Sequence, residues 1–136
     1  VTQNQARRII HQAFIDEWDP PAPAVPYSFD NERLETENLD AWVRLTIRNQ
    51  VGGQWTLGPV GSRVYRRRGA VVVEVHSTVD RGLLRLDELT KAALDLYEGR
   101  NLEQVMFNDG TILELSPNGR WARGNVVVNF TYDETK

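Results

Sequence analysis

Residues 63–99 (RVYRRRGAVVVEVHSTVDRGLLRLDELTKAALDLYEG) constrain the fold more than any other stretch of the chain. Val71, Val72, Val73 and Val75 mark a strand, because β-branched side chains fit a pleated surface better than a helix. A short polar turn follows. Leu83, Leu86, Leu89, Ala93, Leu96 and Tyr97 then recur at steps of three and four, which places them on one stripe of a helix. A strand leading into a helix with an apolar stripe gives two surfaces that are buried against each other. The other segments read as strands joining that sheet and a second helix covering it.

Toward the N-terminus, Thr2 and Gln5 fit a capping box, and Ala6, Ile9, Ile10, Ala13 and Phe14 share one helical face. This predicts a first helix over residues 2–18. Asp19-Pro20-Pro21 ends it, since proline disfavours helix in the preceding residue and has no N–H to donate. PPAPAVP continues as stiff, polyproline-like chain. Alternation of Val25, Tyr27 and Phe29 predicts a short edge strand. Residues 30–40 hold five acids against one base, Arg33, which fits a solvated loop or a charged face for a partner subunit. Residues 41–49 alternate cleanly: Ala41, Val43, Leu45 and Ile47 face one way, and Trp42, Arg44, Thr46 and Arg48 the other. Trp and Arg on an open sheet face are enriched at protein interfaces, although Arg stacking over Trp within the strand accounts for the same pattern.

VGGQWTLGPVGS (residues 51–62) is too rich in glycine for a helix and predicts a loop or a projecting hairpin arm, with Gln54 and Trp55 near its tip. Arg63, Arg66, Arg67 and Arg68 follow. In a strand, Arg66 and Arg68 point opposite to Arg67, so the run is not a one-sided groove for sequence-specific DNA binding. Beyond the central helix, Gly99 stands where a left-handed C-cap is wanted. Asn108-Asp109-Gly110 and Asn118-Gly119 are hairpin signals. They divide the last third into strands near 102–107, 111–115 and 120–132, with Val126, Val128, Phe130 and Tyr132 on the face beneath the helices. The fold class expected is α+β: one domain over residues 1–136, with a mostly antiparallel twisted sheet, two helices packed on one face and a β-hairpin arm at about 49–66.

At 136 residues the chain is long enough for one real core. A formal charge of −3 argues against a general nucleic-acid binder. The absence of cysteine excludes disulfides and thiolate metal sites. No apolar run approaches the ~18 residues of a membrane span and no signal-peptide pattern opens the chain, so a soluble, unprocessed protein is expected, with an initiator Met removed before Val1. Catalytic patterns are absent: no phosphate-binding glycine loop, HExxH or GxSxG occurs. His11 has Asp16 and Glu17 off its own helical face. His76 with Asp80, aided by Tyr65, is the one arrangement a small cytoplasmic enzyme could use, but a strand-end histidine bonded to the next turn is far commoner. No catalytic residue, cofactor or metal is assigned.

The order of features resembles the tail terminator proteins of long-tailed, siphovirus-type bacteriophages. The N-terminal helix (2–18) leads through PPAPAVPYSF to a strand-and-arm hairpin (42–68). Arg66-Arg67-Arg68-Gly69 opens the valine strand, Gly82 precedes the long helix, and Val126-Val127-Val128-Asn129-Phe130-Thr131-Tyr132-Asp133-Glu134 ends on an aromatic residue followed by acids. A proline often found in the turn before the helix is replaced by Ser77-Thr78-Val79-Asp80. The resemblance implies a structural virion protein, made in the host cytoplasm, that forms a hexameric ring at the tail–neck junction. The ring caps the tail tube, ends its polymerisation and joins tail to head. Its implied partners are further copies of itself, the major tail tube protein and a neck or head-completion protein, with non-specific contact to DNA in the lumen and no membrane. A different neck or head–tail completion protein is the neighbouring alternative. A closed ring needs two unlike patches on each subunit. The candidates are Trp42, Arg44, Arg48, Gln54, Trp55, Arg63, Arg66, Arg67 and Arg68, with the acidic 30–40 segment as a possible counterpart to the arginines.

Overall fold

The computed structural model describes residues 1–18, 25–30, 32–36, 39–50, 52–79 and 83–136. Asp19-Pro20-Pro21, most of the polyproline-like segment, Glu37, Asp80 and Gly82 lie outside the described residues. Thr2 starts helix α1 (Gln3–Glu17) through the expected box. Its hydroxyl oxygen accepts from the Gln5 N–H at 3.2 Å, while Gln5 Oε1 accepts from the Thr2 N–H at 2.8 Å. The helix buries Ala6, Ile10 and Phe14.

Strands β1 (Tyr27–Phe29), β2 (Ala41–Asn49), β3 (Gly53–Gln54) and β4 (Val64–Thr78) precede helix α2 (Leu84–Tyr97), and β5 (Asn101–Leu102), β6 (Val105–Asn118) and β7 (Trp121–Thr135) follow it. Among the described residues these seven strands form one sheet in the order β1-β2-β4-β7-β6-β5, with β3 added to β4. Only β1 runs parallel to its neighbour, placing Tyr27 opposite Val43 and Phe29 opposite Leu45. β4 is the spine. It pairs with β2 from Ala41↔Ser77 to Asn49↔Gly69 and with β7 over its whole length.

That register sorts side chains onto two faces. Val43, Leu45 and Ile47 of β2, Val71, Val73 and Val75 of β4, and Val126, Val128, Phe130 and Tyr132 of β7 share one face, and all are buried. Both helices pack there in a common core: α1 through Ala6, Ile10 and Phe14, α2 through Leu86, Leu89, Ala93, Leu96 and Tyr97. The Tyr97 hydroxyl donates to the Ile10 carbonyl at 2.8 Å and ties the helices together. Desolvation in this position pushes the phenol pKa far up, so it stays protonated. The architecture is α+β, a mostly antiparallel sheet with helices on one side only. No helix among the described residues is long and apolar enough to cross a membrane.

Two local expectations are corrected. Leu83 is not part of the buried stripe: it is the residue before α2, and Leu83 and Leu84 are 56% and 72% exposed. Thr90 occupies the stripe instead, over Gly124. Asn108-Asp109-Gly110 is not a turn but a bulge inside β6, between the pairs Phe107↔Phe130 and Gly110↔Val128. Three steps along β6 match two along β7, so one residue is extra. The bulge brings Gly110 under Leu94 of α2, where a side chain would collide. The hairpin entering β6 instead turns at Glu103, which takes φ 55° although it is not glycine. Asn118-Gly119 does turn as read: Gly119 has φ 60° and Asn118 pairs with Trp121. Gly99 likewise has φ 71° just beyond α2.

Candidate functional site

The helix-free face of the sheet gathers most of the polar and aromatic candidates. Each strand contributes alternate residues, and the pairing register aligns them in rows: Trp42–His76–Arg123–Leu115, Arg44–Glu74–Asn125–Leu113, Arg48–Ala70–Asn129 and Arg68–Thr131–Met106. Trp42 and His76 face each other across β2 and β4, and their rings stack at 3.9 Å and 3°. Trp121 meets both edge-on, at 6.1 Å and 6.4 Å. Arg44 lies 5.6 Å from the Trp42 ring centre and Arg120 lies 4.4 Å from that of Trp121. Trp42 Nε1 and His76 Nδ1 are buried and have no hydrogen-bond partner. Desolvation, then the Arg123 and Arg44 charges, push the His76 pKa down from 6.5 to about 4, so the imidazole is neutral at pH 7.

The arginines divide by face. Arg66 points to the helix-free side, where it bonds Asp133 twice at 2.9 Å and 3.1 Å and lies 4.2 Å from the Trp55 ring centre. These bonds hold the Asp133 carboxyl below the usual carboxylate range. Arg67 points to the opposite side and bonds Glu134 at 3.1 Å. The acids that follow the last aromatic residue are therefore the partners of the arginine run. Arg44 donates to Ser28 Oγ at 3.3 Å and Arg123 to the Ser116 carbonyl at 3.0 Å, both neutral acceptors. Arg48 and Arg68 are exposed and have no partner among the described residues. Beside Arg68, a hollow of about 500 Å³ is lined by Gln50, Arg66, Met106, Asn129 and Thr131.

Of the nine residues singled out from the sequence, the structure brings five onto this face: Trp42, Arg44, Arg48, Arg66 and Arg68. Gln54 and Trp55 lie on the arm, where Gln54 donates to the Thr56 carbonyl at 2.9 Å and Trp55 is 59% exposed. Arg63 stands at the arm's base with its Nε buried and unpartnered. Trp121 and Arg123 complete the face and had no signal of their own, and His76, read from the sequence only as a strand-end histidine or a possible base, joins them. The pairing of β2 with β4 sets His76 opposite Trp42, and the pairing of β4 with β7 brings Trp121 and Arg123 alongside. In the acidic segment, Asp30 accepts from the Ile47 N–H at 3.3 Å and Glu32 from the Phe29 N–H at 2.8 Å, while Arg120 donates to the Thr36 carbonyl at 2.7 Å. The segment is thus tied to the sheet at several points.

Of the residues in the catalytic alternative, the fold keeps Tyr65 apart from His76. Tyr65 and His76 lie on opposite faces of β4, and Asp80 is outside the described residues. His11, on α1, stacks on Phe29 at 4.1 Å with its Nε2 buried and unpartnered. Among the described residues no group of three or more His, Cys, Asp or Glu side chains lies close enough to share a metal ion.

Two margins of the molecule expose apolar side chains. The arm does so through Trp55, Leu57 (93%) and Val60 (82%). The far half of β6 does so through Ile112, Leu113 and Leu115, because β5 pairs only with Val105 and Met106. β3 adds to β4 on the side that β2 occupies, since β7 takes the other, so these two margins lie at opposite edges of the sheet.

No family model matches the chain, and no curated protein matches it. Nine solved chains do. One of them aligns with a TM-score of 0.67 over 98% of this chain and 95% of its own, at 15% sequence identity. At that identity the likeness speaks for the fold: two helices on one side of a curled, mostly antiparallel sheet.

Proposed function

We propose that this chain is a structural virion protein of a long-tailed phage, a tail terminator that closes into a ring on the last layer of the tail tube and presents its other side to the neck. The observation that carries this reading is the pair of unlike apolar margins, the arm with Trp55, Leu57 and Val60 and the open β6 edge with Ile112, Leu113 and Leu115. A ring is built head to tail and needs two different patches on each subunit. A long, unpaired, apolar strand edge in a lone molecule is an aggregation hazard that a permanent neighbour removes. The resemblance in chain order supplies the number six and the tube as partner.

Mass in solution tests it. Six copies of a 15.6 kDa chain give roughly 94 kDa. Since association depends on concentration, sedimentation is run at rising protein concentration, alone and with purified tail tubes. The expected result is a single large species in one of those settings, lost in the Leu57→Glu/Val60→Glu variant with its melting temperature unchanged. A chain that stays monomeric throughout and leaves tubes bare refutes the reading.

A further inference from the structure

We propose that the helix-free face of the sheet binds the phosphate backbone of duplex DNA, without regard to base sequence. This deepens the proposed function, for which the resemblance implies non-specific contact with DNA but no surface: it assigns the contact to one face, and it needs no ring, because a single protomer carries the whole face. The chain's charge is sorted by side. Among the described strand residues, Arg44, Arg48, Arg66, Arg68 and Arg123 share the helix-free face with two acids, Glu74 and Asp133, and Asp133 is taken by Arg66. The helical side carries exposed Asp16, Glu17, Asp87, Glu88, Asp95 and Glu98 beside Arg7, Arg8, Arg67, Arg85, Lys91 and Arg100, so it has no such excess of positive charge. A net charge of −3 therefore conceals a basic surface.

The positive charges on this face are also available. Arg48 and Arg68 have no described partner, and Arg44 and Arg123 donate only to neutral oxygens. From the Arg44 row to the Arg66 row the stripe covers eight steps along β4, about 27 Å at roughly 3.4 Å per residue. That length spans several phosphates. At its upper end Trp42 Nε1 and His76 Nδ1 are buried without partners. Base stacking is disfavoured, because the Trp42 ring has His76 stacked on it and Arg44 nearby, and Trp121 has Arg120 over it. Single-strand binders rely on free aromatic platforms, of which this face has none among the described residues, whereas backbone neutralisation by arginine suits a duplex.

The test uses the intact chain and a labelled 20-base-pair duplex, with binding followed by anisotropy from 50 to 200 mM salt. Four available arginines predict a slope of log K against log salt of about −3.6, and equal affinity for an unrelated sequence. Arg48→Gln/Arg68→Gln should make the slope shallower by roughly 2, each single variant by about 1, with melting unchanged because both side chains are exposed. Arg7→Gln/Arg8→Gln, on the helical side, should leave it unchanged. No binding at 50 mM salt, a slope insensitive to Arg48 and Arg68, or an equal loss from the helical-side variant overturns the proposal. So does tighter binding to a single strand of the same length. If Arg48→Gln/Arg68→Gln alters the mass of the assembly and not DNA binding, the face is a contact between copies and the proposal fails. Mass is read on the same samples, so a protein that binds DNA as a monomer refutes the ring alone.

Discussion

Replacing His76 with Gln removes the one titrating group at the centre of the aromatic cluster while keeping a side chain of similar reach. In the folded protein the imidazole is held neutral by burial against Trp42 and by the charges of Arg123 and Arg44, with a pKa of about 4 against 6.5 for an unperturbed histidine. Between those two values the unfolded chain binds a proton that the folded chain refuses, so stability falls as pH drops from 6.5 to 4 and this group adds no further loss below 4. At about 1.36 kcal/mol per pH unit the ceiling is about 3.4 kcal/mol. The ring is partly exposed, and water screens part of that cost, so about 2 kcal/mol is expected. Urea unfolding of wild type and His76→Gln, followed by tryptophan fluorescence at pH 7, 6, 5 and 4, isolates the contribution. His11, Asp133 and every other titrating group are common to both chains. The wild type should lose about 2 kcal/mol more than the variant over that range. Parallel stability curves would refute the reasoning and would mean that the imidazole takes up its proton freely within the fold.

Two further perturbations test the packing. A Cβ at Gly69 would lie 2.5 Å from Phe130 Cζ and 2.8 Å from the Arg48 carbonyl oxygen. Gly69→Ala should therefore cost about 1–3 kcal/mol in urea unfolding, while Gly53→Ala, with open space around it, should stay within ~0.5. Tyr97→Phe deletes the bond that joins the two helices and should cost about 1 kcal/mol, since Ile10 lies mid-helix and its carbonyl keeps an intrahelical donor. Denaturation of that variant at neutral pH checks it, and an unchanged midpoint would show that apolar packing alone sets the helix–helix distance.

What could be read from the residues was local and periodic. The Thr2–Gln5 box, the alternation from Ala41 to Ile47 and the stripe from Leu86 to Tyr97 each follow from a repeat in the chain, and each is present in the fold. The misreadings have the same physical origin as one another. Leu83 continues a helical spacing, but it precedes the first helical turn, where the stripe no longer faces the sheet. Asn108-Asp109-Gly110 has the composition of a turn, but the same backbone freedom serves a bulge when β7 continues alongside. The aromatic cluster and the ion pairs could not be read in advance. Arg66 meets Asp133 across 67 positions of sequence, and Trp42, His76 and Trp121 adjoin only because β4 has β2 on one side and β7 on the other. An arginine run that looks two-sided within one strand contributes to a one-sided basic face once Arg44, Arg48 and Arg123 are brought in from neighbouring strands.

The extra residue in β6 decides which way up the rest of that strand lies. Up to Phe107 and again from Gly110, the same side looks toward the helices, because the inserted residue absorbs one step of the alternation. Were the ladder to run on from Phe107 without the bulge, the downstream half would turn over. Leu113 and Leu115 would then be directed beneath α2, Glu114 toward the arginines, and Asp109 would take the place under Leu94 that Gly110 now fills. Deleting Asp109 removes the irregularity and leaves Gly110 opposite Val128, so a single local kink keeps inside from exchanging with outside along the whole outer margin of the sheet.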